Sequence, residues 1–113
     1  MSYNISTMRQ YFQIRYPDSL NSQINKSGKS GKVIVDGWIS SFLAIKIDLQ
    51  EKNLKEINIS YFLEKTGKIK NKSKKEGLVI FCAACQALKK ETIYQEDIDC
   101  VVEYLKGLKN MMA

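Results

Sequence analysis

An unbroken apolar run, Leu78-Val79-Ile80-Phe81-Cys82-Ala83-Ala84-Cys85, constrains the fold more than any other stretch of this chain. Ser73-Lys74-Lys75-Glu76 precedes it in the form of a capping box, with the Ser hydroxyl accepting from the Glu amide and the Glu carboxylate reaching back to the Ser amide. Leu78, Phe81, Cys82, Cys85 and Leu88 keep helical spacing, and Ala83, Ala84 and Ala87 cover the other side. The pattern predicts a helix over about 74–90, and a helix apolar nearly all round must be central. Gly77 costs that helix roughly 1 kcal/mol against Ala. The expected fold is all-α: a single compact domain in which four to five helices pack around this one.

Upstream, Ile5, Met8, Phe12 and Tyr16 recur at helical intervals and predict a helix from about Thr7 to Tyr16, although Phe12, Ile14 and Tyr16 also alternate as a strand would. Pro17 biases Tyr16 away from helical backbone, so the element is expected to stop there. Residues 18–32 are rich in Ser, Asn, Gly and Lys and read as a basic loop. Val33 to Leu49 fits either a short β-hairpin turned at Asp36-Gly37 or a helix capped by Asp36 with Trp38, Phe42, Ile45 and Leu49 inward. The helix is preferred, with Trp38 a core residue whose indole N–H needs one partner. Asn53-Leu54-Lys55-Glu56 opens a further helix with Leu54, Ile57 and Tyr61 on its inner face and Gly67 at its end. Ile98, Val101, Val102, Leu105 and Leu108 form the stripe of a last helix that begins at Gln95, Glu96 and Asp97, and Met111-Met112-Ala113 is expected to fray.

Charge is unevenly spread. Residues 1–75 hold 14 basic and 6 acidic side chains, residues 76–113 hold 4 and 6, and the total is +6. Lys68, Lys70, Lys72, Lys74 and Lys75 crowd one segment, 67–75, without an acid, so they must face water or an anion. Lys74 and Lys75 oppose the positive end of the helix they begin, a conflict that a phosphate would relieve. Lys26, Lys29 and Lys32 stud the earlier loop, while Arg9 and Arg15 lie beside glutamines and tyrosines suited to base edges and stacking. These ten side chains are the candidate nucleic-acid-binding set. They point to a small, non-catalytic protein, a regulator or accessory factor, that grips the phosphate backbone of DNA or RNA with little sequence preference. The rival expectation is a protein-binding inhibitor or adaptor of the kind found in mobile genetic elements, docking on an acidic protein surface.

Other chemistries find little footing. The chain has no histidine, the commonest general acid/base. Cys82-x-x-Cys85, with Cys100 beyond, lacks a fourth zinc ligand and sits inside an apolar helix, where burial raises a thiol pKa, so the cysteines are read as structural. Gly28-Lys29-Ser30 resembles the end of a phosphate-binding loop, but Gln23 stands where that pattern requires glycine. No enzyme activity, cofactor or metal is therefore expected. No run approaches the roughly 20 apolar residues of a membrane span and no signal-peptide plan opens the chain, so a soluble, cytoplasmic protein without membrane partners is anticipated.

From Leu54 to Ile93 the order of features (Leu-Lys-Glu-Ile, Tyr-Phe-Leu, a Lys/Asn-rich turn, then an apolar helix with Ala-Leu near its end) is similar to the helical core-binding domain of tyrosine recombinases. The similarity implies a DNA-binding helical unit. It assigns no role to any residue, and no recombinase catalytic domain follows it.

Overall fold

The computed structural model describes residues 5–112, with the side chains of 5–9 and 11 left aside. Five helices and a two-stranded sheet follow in the order α1 (Ile5–Ser27), α2 (Gly31–Glu51), β1 (Glu56–Asn58), α3 (Ile59–Gly67), α4 (Lys72–Ala87), β2 (Thr92–Tyr94) and α5 (Gln95–Met111). The fold is the all-α bundle anticipated.

Several boundaries differ from the sequence expectation. Helix α1 does not stop at Pro17 but runs through it to Ser27, so most of the expected 18–32 loop is helix. Phe12, Tyr16, Leu20 and Ile24 continue one stripe at intervals of four across the proline, and the burial of Phe12 and Leu20 outweighs the missing amide. Only residues 28–30 connect α1 to α2. Gly28 turns the chain with φ +70, its amide donating to Ile24 O at 2.9 Å.

Residues 31–51 are helix throughout, which settles the hairpin alternative among the described part of the first 40 residues. The cap is Ser30, whose hydroxyl accepts from the Val33 amide at 3.3 Å, and not Asp36. The further helix begins at Ile59 with Asn58 as its cap, because residues 56–58 are taken by strand pairing. Glu56, Ile57 and Asn58 pair antiparallel with Tyr94, Ile93 and Thr92, so the apolar Ile57 and Ile93 face one another inward. Helix α4 begins at Lys72, two residues before the expected start, with Asn71 and not Ser73 as cap: its side chain accepts from the Lys74 amide at 3.2 Å. Met112, expected to fray, packs partly buried beside Gly31.

Helix α4 shares the centre with α2. Trp38 of α2 is fully buried, and its indole N–H donates to Ser73 O at 2.9 Å. The Ser41 hydroxyl lies 2.8 Å from Lys74 O, and Phe42 meets Phe81 edge to face at 5.4 Å. Gly77 explains itself here. A Cβ at that position would lie 2.7 Å from Trp38 Cγ, so the residue that weakens α4 as an isolated helix lets the two helices approach. Gly77→Ala is accordingly expected to lower stability by about 1–3 kcal/mol through overpacking, despite the better helix former. Urea unfolding checks the sign, and a stabilised variant would contradict the packing account.

Candidate functional site

Helix directions decide which lysines meet. Trp38 and Ser41 contact the first turn of α4, whereas Phe42 contacts Phe81 further along it. The C-terminal ends of both helices run to the small sheet, where Gln95 N donates to Lys55 O at 3.2 Å. Helices α2 and α4 are therefore broadly parallel, with their N-termini at one pole. Helix α5 runs the other way, pairing Lys46 with Asp99 at one level and Lys109 with Asp36, 2.7 Å apart, at another. Helix α1 follows α5: Phe12 and Tyr16 meet Tyr104 edge to face, and Ile24 reaches Gly31 beside Met112.

One pole thus gathers the N-termini of α2 and α4 and the C-termini of α1 and α5. Lys26 stands on the last turn of α1, Lys29 in the connection, and Lys32 on the first turn of α2. Lys72, Lys74 and Lys75 stand on the first turn of α4, with Lys70 just before it. The first turn of α4 lies against α2 at Gly37, since Lys74 Cγ lies 3.4 Å from where a Gly37 Cβ would be. Gly37 is five residues, roughly 7–8 Å of rise, beyond Lys32. The four helix dipoles largely offset one another at this pole, so its potential comes from the side chains themselves.

Ion pairing sorts the remaining cations. Asp48 accepts from Lys65 at 3.2 Å and Lys52 at 3.4 Å, with the Tyr61 hydroxyl donating at 3.3 Å. Lys65, first, and Lys52 hold that carboxyl below its ordinary range, while the Tyr61 oxygen, accepting from Lys52 at 2.8 Å, and Asp48 raise the Lys52 ammonium above its own. Lys90 is paired with Asp97, Lys106 with Glu103 and Lys109 with Asp36. Among the described residues, Lys26, Lys29, Lys32, Lys70, Lys72, Lys74 and Lys75 have no such acid, and all but the half-buried Lys75 are exposed. Lys55 and Lys89 are also unpaired, but they stand at the opposite end amid Glu51, Glu56, Glu91 and Glu96.

Two members of the candidate set fall outside the pole. Lys68 follows α3 and pairs with Glu64 at 3.5 Å, close to the level where Thr66 meets Cys82 midway along α4. Arg15 is exposed on α1, nine residues or roughly 13 Å before Ile24, and is engaged in a contact of its own. The side chain of Arg9 lies outside the described residues. The sequence reading grouped these arginines with the lysines because it ended α1 at Pro17; a 23-residue helix carries them away instead. Tyr61 with Lys52 and Lys65 went unnoticed, since nothing local brings α2 and α3 together.

Two of the three cysteines lie in the core, and Cys100 is half-buried. Cys82 and Cys85 are buried, and desolvation, foremost, pushes both thiols up, with the neighbouring Cys82 and Asp97 adding to the rise at Cys85. Among the described residues no three His, Cys, Asp or Glu side chains converge as a metal site. Gly28-Lys29-Ser30 does precede a helix N-terminus, but a helix and not a strand leads into it, unlike a phosphate-binding loop. Beyond the pole, an open concavity of about 420 Å³ beside Gln50, Asn53, Lys55, Gln95 and Glu96 offers no nucleophile held by a base. No helix of the described residues is long and apolar enough to cross a membrane.

The chain matches no protein-family model, no curated protein and no solved structure. The similarity to recombinase core-binding domains therefore rests on residue order alone, and within that span residues 56–58 and 92–94 form strands.

Proposed function

We propose that the protein is a small, non-catalytic nucleic-acid-binding factor whose basic pole grips a phosphate backbone. One observation carries this reading: two lysine groups distant in sequence stand at one end, and none of the seven has an acid partner among the described residues, Asp36 at that end being held by Lys109. Seven ammonium groups without an ion-pair partner among the described residues, spread over one end, suit a repeating anion better than a single small one. Lysines supply point charges and no fixed hydrogen-bond fork, so they position the protein without reading bases. Arg15, suited to base edges, is not part of the pole, which favours weak sequence preference.

Titration of fluorescent duplex and single-stranded DNA and RNA at two salt concentrations tests the reading. Affinity is expected to fall steeply, by about 10³-fold or more between 50 and 200 mM salt if six or seven phosphates are neutralised. Absence of binding at low salt, or binding indifferent to salt, would refute it. Stoichiometric capture of an acidic protein that survives nuclease treatment would favour docking on a protein surface instead.

A further inference from the structure

We propose that the outward face of α2 is a homodimer contact, formed antiparallel with a second copy of this chain. Between its capped start and its last turn, α2 turns Val33, Ser40, Ala44 and Ile47 to solvent, and Val33 and Ile47 are 56% and 53% exposed. Ile39, Leu43 and Asp36 border the same face as a shallow groove of about 370 Å³. Few surface helices of a bundle keep so little charge at their middle.

Charge names the occupant. The N-terminal end of α2 is basic, with Lys29 and Lys32 unpaired beside the positive end of the helix dipole. At the C-terminal end an exposed Glu51 without an ion-pair partner among the described residues stands beside the negative end, while Asp48 is already held by Lys52 and Lys65. A helix polarised in this way complements itself when inverted. A twofold axis at Ser40 sets Val33 of one copy against Ile47 of the other, and Lys29 of one against Glu51 of the other. Each apolar contact, ion pair and dipole match then occurs twice, as an isologous interface requires. Lys29 and Lys32 belong to the basic pole as well, whereas Lys70, Lys72, Lys74 and Lys75, on and before α4, take no part in this contact, so the test is made on protein freed of nucleic acid.

Sedimentation equilibrium of nuclease-treated protein, from micromolar to millimolar concentration, reads the outcome. The wild-type chain is expected to form dimers in this range. Ser40→Arg places two like charges across the axis and should weaken the dimer by about a hundredfold, with unchanged helical circular dichroism because Ser40 is exposed. Lys29→Glu and Glu51→Lys should each weaken it about tenfold, through two rim pairs, and their combination should recover most of that loss. A wild-type chain monomeric throughout, or a dimer indifferent to Ser40→Arg, would overturn the proposal, whatever else then covers the face.

Discussion

Replacing Lys72, Lys74 and Lys75 together by Glu should abolish nucleic-acid binding at moderate salt while leaving the fold intact. Each lysine lost from a phosphate removes about one unit from the slope of log affinity against log salt, and reversal adds repulsion. Three reversals should lower affinity by about 10³-fold at 100 mM salt and flatten the slope by about three. None of the three side chains has an ion-pair partner among the described residues. Acids on the first turn of α4 also suit its dipole, so stability should hold or rise slightly. The matching triple reversal of the exposed Lys55, Lys68 and Lys89 is the control. It removes as much charge, but away from the pole, and should reduce affinity far less. Equal losses from the two triples would mean that net charge alone, and not its location, drives binding.

The largest loss of stability is expected from Asp97→Ala. Asp97 is the third residue of α5, and its Oδ2 accepts from the Tyr94 amide at 2.8 Å and from Lys90 Nζ at 3.1 Å. Both side chains are nearly out of water, at 4% and 10% exposure, and Lys90 lies 5.2 Å from the Tyr94 ring centroid. Together they lock the turn between α4 and α5 where β2 pairs with β1. Removing the carboxylate strands a buried ammonium and an unsatisfied amide, at about 3–5 kcal/mol. The double replacement Lys90→Met with Asp97→Leu should recover much of that loss, because an apolar pair carries no desolvation cost. Urea unfolding of the two variants, with slopes unchanged, measures both terms. A loss below about 1 kcal/mol for Asp97→Ala would show the pair to be solvated like an ordinary surface bridge.

How much of this was legible in the sequence depends on range. The stripes of α4 and α5 were written locally, and so was the need of Trp38 for a single acceptor, supplied by Ser73 O. Helix α1 was half legible: the stripe through Leu20 and Ile24 was present, but Pro17 and the polar residues after it argued for a loop. The sheet was hidden because three-residue strands are too short to show alternation, and Ile57 fitted a helix face equally well. The lysine run declared that it would face solvent. It could not declare that α2 and α4 run parallel, which depends on how β1 and α3 return the chain, and this orientation gathers Lys26, Lys29 and Lys32 with Lys72, Lys74 and Lys75. Lys68 pairs with Glu64 only four residues before it, a contact that the local sequence did offer, whereas the distance of Arg15 from the pole follows from the length of α1 beyond Pro17.

An amide-resolved NMR titration with a short DNA duplex at low salt addresses the pole itself. Shifts should concentrate on residues 26–32 and 70–75 together and fade as salt is added. Shifts centred on the sheet, around 55 and 89–96, or none at all, would contradict the account.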